Sequence, residues 1–227
     1  MPDTTRRGVL FDVDGTLVDT TYLHAVCWGE ALRQHEHDIP MATVHRSIGM
    51  GSDRLLEHLL GKDRDTSQDA DLTTAHLALY RQFWGRLRPL PGAAELLRSC
   101  AESGLSVVLA SSAGRDELDA LRSALGADDA IAAATSSSDA ESSKPAPDIL
   151  EVAMAKSGLR PEDVAFVGDA VWDGAAATRA GVTFIGLTCG GTSEAELYEA
   201  SAVEVWRDPA HLREHLGTSA IGALVRR

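Results

Sequence analysis

Asp12 and Asp14 stand two residues apart at the end of the apolar run Gly8-Val9-Leu10-Phe11, and Gly15-Thr16-Leu17-Val18-Asp19-Thr20 follows. The run reads as a buried strand. Residues i and i+2 of a strand point to one side, so the two carboxylates project together, about 6 to 7 Å apart along the backbone. Two like charges that close call for a counter-cation. Such a pair can supply a nucleophile, a general acid and base, or ligands for a metal. Gly15 lets the backbone turn sharply after the strand, and Thr16 can donate its hydroxyl to an anion in the same loop.

Three further polar clusters follow apolar runs. Val107-Val108-Leu109-Ala110 ends in Ser111 and Ser112, hydroxyls able to cap a following helix or to bind a ligand. Ser143-Lys144-Pro145-Ala146-Pro147-Asp148 places a lysine beside two prolines. These stiffen the loop and leave Asp148 near the start of a helix. A cation fixed in that way would offset the charge of Asp12. Phe166-Val167-Gly168-Asp169-Ala170-Val171-Trp172-Asp173 brings two more carboxylates. Oxygen-only ligands suit Mg²⁺, while Asp173 also suits the first turn of a helix.

These four segments, in this order across about residues 8–190, resemble motifs I to IV of the haloacid dehalogenase (HAD) superfamily of phosphohydrolases. The resemblance implies an α/β fold with a Rossmann-like parallel sheet, and an inserted helical cap of the C1 type that marks subfamily I. It is similar to β-phosphoglucomutase and to phosphoglycolate phosphatase-like enzymes. It implies that Asp12 attacks phosphorus to form an aspartyl phosphate, and that Asp14 protonates the leaving oxygen and then activates water. Ser111, with Ser112 and Thr16 beside it, would bind phosphoryl oxygens, and Lys144 would bridge nucleophile and phosphate. Mg²⁺ would be held by Asp12, the backbone carbonyl of Asp14 and Asp169. Asp173 would be a further ligand, or would orient metal-bound water or Lys144. This division of labour requires Asp12 to stay ionised and Asp14 to hold a proton near neutral pH. Haloacid dehalogenases themselves lack the second acid of motif I, so Asp14 favours phosphoryl chemistry.

Positioning such residues requires strands that end together. Residues 20–87 show only helical spacing, with Ala25, Trp28, Ala31 and Leu32 and then Leu55, Leu56, Leu59 and Leu60. This predicts a helical cap over 20–87, joined by linkers near Asp19 and Arg88 to a core of residues 1–19 and 88–227. Beyond Pro91-Gly92 the pattern predicts strands at 105–110, 130–134, 164–167 and 182–187 with helices between them. Repeated βα units imply a parallel sheet covered on both faces, with ligands beyond its carboxyl edge. Residues 135–143 read as a polar active-site loop, Gly190-Gly191 as a plain loop, and residues from about 218 as a weakly held tail.

Thr20, His24 and Trp28 follow motif I with the spacing of β-phosphoglucomutases and several sugar-phosphate phosphatases, which implies a pocket-facing His24. Ile48-Gly49-Met50-Gly51-Ser52-Asp53-Arg54 resembles the cap loop that closes over substrate, with Gly51 and Arg54 as contacts. Mutases carry an arginine close after the first glycine, where this chain has Ser52, and that departure weakens the mutase reading. His35 and His37 lack a further ligand at zinc-like spacing and read as surface residues. Trp84, Trp172 and Trp206 read as packing residues.

The formal net charge of -13 argues against nonspecific binding to nucleic acid or to an anionic membrane. An anionic substrate would need local help from a metal and a few basic groups. Three cysteines, Cys27, Cys100 and Cys189, leave one unpaired in any intramolecular scheme, which fits a reduced, cytoplasmic protein. The N-terminal apolar run is too short for a leader core or a membrane span. The expectation is a Mg²⁺-dependent phosphatase for a small phosphorylated metabolite, acting as monomer or homodimer. The alternatives are a sugar-phosphate mutase and a binding protein that has kept the fold without turnover.

Overall fold

The computed structural model describes residues 6–226. Residues 1–5, which belong to the segment read above for a leader, and residue 227 lie outside the described residues. β1 (Gly8–Phe11) is followed by helices alone: α1 (Thr21–Gln34), α2 (Met41–Ser47), α3 (Ser52–Leu60), α4 (Asp69–Tyr80) and a 3-10 segment, Arg81–Arg86. Strands and helices then alternate as α5 (Ala93–Glu102), β2 (Ser106–Ala110), α6 (Arg115–Leu125), β3 (Ala133–Thr135), α7 (Asp148–Ser157) and β4 (Val164–Gly168). α8 (Val171–Ala180), β5 (Thr183–Leu187), α9 (Glu194–Glu199), β6 (Ala202–Trp206), α10 (Pro209–Glu214) and α11 (Ala220–Val225) complete the chain.

The six strands form one parallel sheet in the order β3-β2-β1-β4-β5-β6. Alternate residues of its continuous apolar strands feed two separate layers, as the two-residue period of a strand requires. Val9, Phe11, Val107, Leu109 and Val167 pack with α5, α6, α10 and α11, whereas Leu10, Val108, Ala110, Phe166 and Phe184 pack with α7, α8 and α9. A third cluster, built on Trp28, Leu32, Val44, Leu55, Leu56 and Leu72, holds α1 to α4 together. Each such side chain contributes about 1.5–3 kcal/mol by leaving water.

The two chain crossings between the sheet and this helical segment run side by side. Asp19 donates its N–H to the Arg88 carbonyl at 3.0 Å, and Leu90 donates to that of Leu17 at 2.8 Å. An antiparallel bridge pairs Val18 with Pro89 between them. The segment therefore rests on two hydrogen-bonded strands of backbone.

The structure corrects the sequence reading at three places. β3 starts at Ala133 and not at residue 130, because Ala130 is tucked into a turn closed by Ala127. β6 is unforeseen: its Glu204 and the exposed Val203 break the apolar run, as suits an edge strand. The expected loose tail is a docked helix, α11, with Ile221 and Leu224 buried in the core and Ser219 accepting from the Gly222 N–H at 3.3 Å. Its small residues let α11 lie close, and only the i, i+3 pair of large apolar groups marks the buried face. All three cysteines are unpaired, and no helix among the described residues is long and apolar enough to cross a membrane.

Ile221→Ala is expected to lower stability by about 2–5 kcal/mol, the range for an emptied core site, read from the urea midpoint. A shift near zero would restore the loose-tail reading.

Candidate active site

Asp12 lies one residue beyond β1, and its N–H donates to the Val167 carbonyl of β4 at 2.9 Å. Phe11 is in register with both Leu109 and Val167, so the ends of β2, β1 and β4 form one edge. The chain then turns tightly, with Leu17 donating to the Val13 carbonyl and Gly15 to that of Val18. Gly15 has φ +78°, and a Cβ there would stand 2.6 Å from Asp169 Oδ2, so conformation and space both require glycine. Gly190, read earlier as part of a plain loop, approaches Asp169 from the end of β5, and a Cβ there would overlap its carboxylate. A second glycine after a strand was the signal available for it.

Lys144 is fully buried, and its ammonium forms ion pairs with Asp12 and, at 2.8 Å, with Asp173 Oδ1. The other oxygen of Asp173 accepts the Ala170 N–H at 3.0 Å, which fixes it at the start of α8. Thr16 donates its hydroxyl to Asp169 Oδ1 at 2.8 Å and lies 3.2 Å from Asp12 Oδ2. Its hydroxyl thus joins two carboxylates. Ligand oxygens of Asp12, Asp169 and Asp173 lie within 4.8 Å of one another. Burial pushes Asp12 up to about 7 against the pull of Lys144, and burial with the charges of Asp173 and Asp12 holds Asp169 well above the usual carboxylate range. Three buried carboxylates face one ammonium, and a divalent ion with hard oxygen ligands fits that charge deficit.

Asp14 belongs to a different network. Its Oδ1 accepts from Thr20 Oγ1 at 2.7 Å and lies 3.1 Å from His24 Nε2. His24 Nδ1 lies 3.1 Å from His76 Nε2, and its Nε2 lies 3.5 Å from Glu117 Oε1. Burial alone would raise Asp14, but His24 and Thr20 outweigh it and hold the carboxyl below its usual value. Burial alone would lower His24, yet Asp14 and Glu117 raise it. Burial and the neighbouring His24 hold His76 well below the ordinary histidine value. An imidazolium at His24 that donates to Asp14 and to a neutral His76 fits these contacts and the direction of each shift. Trp28 stacks on His76 with centroids 4.2 Å apart, and Tyr80 lies 4.0 Å from the His24 ring. The protein groups alone therefore reverse the expected order, raising Asp12 and lowering Asp14, because the lysine is shared with Asp173 while the histidine faces Asp14.

A cavity of about 410 Å³ opens over these residues and is lined by Asp12, Asp14, His24, Gly51, Ser112 and Glu117, among others. Ser111 lies beneath its wall, fully buried, and accepts the Ala113 N–H at 3.0 Å. The Ser112 hydroxyl is buried without a partner. Ser137 and Ser143 of the polar loop also reach the lining. Arg54 is corrected: its guanidinium turns outward to Glu57 at 3.0 Å and lines a separate outer groove, leaving Asp53 on the cavity. Its place on the outer face of α3 decides this, since Leu55 and Leu56 occupy the inner face. Glu117, His76 and Gly190 escaped the sequence reading, since an acid or histidine in an ordinary helix carries no local mark. The helical segment meets the α/β part of the chain through Ser143 to Asp53, His24 to Glu117, and Trp172 Nε1 donating to the Arg46 carbonyl at 3.0 Å.

A family model for haloacid dehalogenase-like hydrolases matches residues 7–181. The chain is 30% identical over 167 residues to Protein CbbY of Rhodobacter capsulatus, covering 68% of this chain and 73% of that one. It is 29% identical over 208 residues to a phosphoglycolate phosphatase of Salmonella typhi, covering 81% and 82%. A crystal structure of a hydrolase from Pseudomonas syringae superposes with a TM-score of 0.89 at 33% identity, covering 95% of this chain and all of that one.

Asp12 rises from 3.8 to about 7 and Glu117 from 4.5 to about 7 on folding. The folded chain then holds more protons than the unfolded one, so this contribution is full below about pH 4 and is lost as pH rises toward 7. With EDTA present, the urea midpoint is expected to fall between pH 5 and pH 8, and Mg²⁺ should raise it more at pH 8. A flat profile in EDTA would count against the buried charge deficit.

Proposed function

The chain belongs to the haloacid dehalogenase-like hydrolase family, and on that premise we propose that it is a Mg²⁺-dependent phosphatase of small phosphorylated metabolites. The observation that carries this reading is the buried Lys144 ammonium held between Asp12 and Asp173 beneath the floor of the cavity that Asp12 lines. A carboxylate so held keeps its nucleophilic oxygen aimed at the cavity, and the ammonium balances the charge of an arriving phosphoryl group. Asp12, the backbone carbonyl of Asp14 and Asp169 would hold Mg²⁺, which supplies charge neutralisation of the phosphoryl oxygens when bound. Asp173 serves through Lys144, since one of its oxygens faces the ammonium and the other caps α8.

In the first half-reaction an oxygen of Asp12 bonds to phosphorus as the ester oxygen leaves and takes a proton from Asp14. In the second, Asp14 as carboxylate takes a proton from water, whose oxygen displaces Asp12 and releases phosphate. Asp14 must be protonated to begin. His24 supplies a proton 3.1 Å away, and the added negative charge of the phosphoryl group raises the Asp14 carboxyl toward it. Ser112 and Gly51 line the cavity, where the unpaired Ser112 hydroxyl would bind a phosphoryl oxygen and the Gly51 backbone would contact the substrate, and Ser111 shapes the loop beneath. Thr16 and Thr20 act by holding the carboxylates. The unpaired cysteines favour a reduced, cytoplasmic setting.

Asp12→Asn is expected to lower Mg²⁺-dependent hydrolysis of p-nitrophenyl phosphate by at least about a thousandfold. Equal rates would remove the mechanism and favour a binding protein. Incubation of the wild type with β-glucose 1-phosphate and a trace of the bisphosphate should release free phosphate. Accumulation of glucose 6-phosphate would instead make the enzyme a mutase.

A further inference from the structure

The leaving-group side of the cavity carries an unusual charge pattern. Glu117, in the first turn of α6, lines it with a side chain only 8% exposed. Its Oε1 lies 3.5 Å from His24 Nε2, which already stands 3.1 Å from Asp14. One imidazolium therefore faces two carboxylates. Asp53 and Glu141 add two further acids to the rim, and no lysine or arginine lines the cavity among the described residues. Lys144 lies sealed beneath the floor, and Arg54 pairs with Glu57 outside. Ser112 lines the same space, and its hydroxyl is buried without a protein partner.

We infer that Glu117 is a specificity-determining residue that rejects substrates with a second anionic group and selects monoesters of neutral, hydroxyl-bearing alcohols. The inference rests on the phosphatase reading above and adds to it the class of leaving group. A carboxylate or second phosphate in this space would be desolvated against Glu117 with no lysine or arginine to receive it and with the one imidazole already shared by Asp14 and Glu117, a repulsive arrangement of the kind that sets specificity. A hydroxyl meets no such obstacle. It donates to an ionised Glu117, or accepts from a protonated one, and the free Ser112 hydroxyl offers a second hydrogen bond. Glu117 also touches the cap through His24, so the same carboxylate that screens the leaving group helps to close the cavity around it.

The test compares kcat/KM for glycerol 3-phosphate and phosphoglycolate, which match in size and differ in the charge of the leaving group, with p-nitrophenyl phosphate as reference. Wild type should favour glycerol 3-phosphate by at least about tenfold, a free-energy difference of about 1.4 kcal/mol. Glu117→Gln should narrow that ratio by at least about fivefold, mainly through a lower KM for phosphoglycolate. The ratio is the readout, because losing the contact to His24 can depress both rates. Should the variant fail to fold, inhibition of wild-type aryl-phosphate hydrolysis decides: glycerol 3-phosphate should compete at lower concentration than phosphoglycolate. Equal or better use of phosphoglycolate by the wild type, or an unchanged ratio in Glu117→Gln, overturns the inference and leaves the phosphatase reading intact. Preference for O-phosphoethanolamine over glycerol 3-phosphate overturns it in favour of a cationic leaving group. Absence of Asp12-dependent aryl-phosphate hydrolysis overturns the phosphatase reading and this inference with it.

Discussion

A fully buried ammonium, Lys144, lies between two buried carboxylates, Asp12 and Asp173, and the rest of the site is arranged around that contact. Removing an ammonium and its partners from water costs several kcal/mol per ion, and only close pairing with complete hydrogen bonding offsets it. The surroundings meet that demand. Asp173 is held by the Ala170 N–H, and Asp12 by the Val167 carbonyl through its own N–H. Asp169 is held by Thr16 and by the close approach of Gly15 and Gly190. An excess of negative charge remains, and a divalent cation would offset it.

Parallel strand register brings these groups together. Phe11 sits level with Leu109 and Val167, so the residues that follow each strand emerge on one edge although Leu109 and Val167 lie 98 and 156 positions from Phe11 in sequence. β1 lies at the centre of the sheet, where the chain has neighbours on both sides and the order reverses from β2 to β4. Ligands gather at such a point because the loops on either side diverge and leave a crevice.

The helical segment between the two crossings contributes a second electrical environment. His24 and His76 lie in contact with one imidazole raised and the other lowered, and His24 and Thr20 hold the Asp14 carboxyl below its usual value. Glu117 reaches the same imidazole from the core. The helical segment thus lines the cavity and also lowers the Asp14 carboxyl through His24, so enclosure and local charge depend on the same few contacts.

Local pattern alone determined the strand and helix order through residue 187, the carboxylates of the first loop, and the lysine ahead of two prolines, because continuous apolar runs and polar strand ends are written in adjacent residues. It also located the helical segment, since spacing at 3–4 residues persists there without a strand. β6 and α11 were not legible, because an edge strand and a small-residue helix have few apolar positions and become ordered only against a finished core. Glu117, His76 and Gly190 gained their roles from tertiary structure. A histidine in α4 and an acid in α6 are ordinary in sequence; the packing of α4 on α1 places the one beside His24, and the docking of the helical segment on the α/β part places the other. The direction in which Arg54 turns was decided in the same way: the apolar face of α3 is buried, so a residue on its other face is carried away from the cavity even where its spacing suggests a contact.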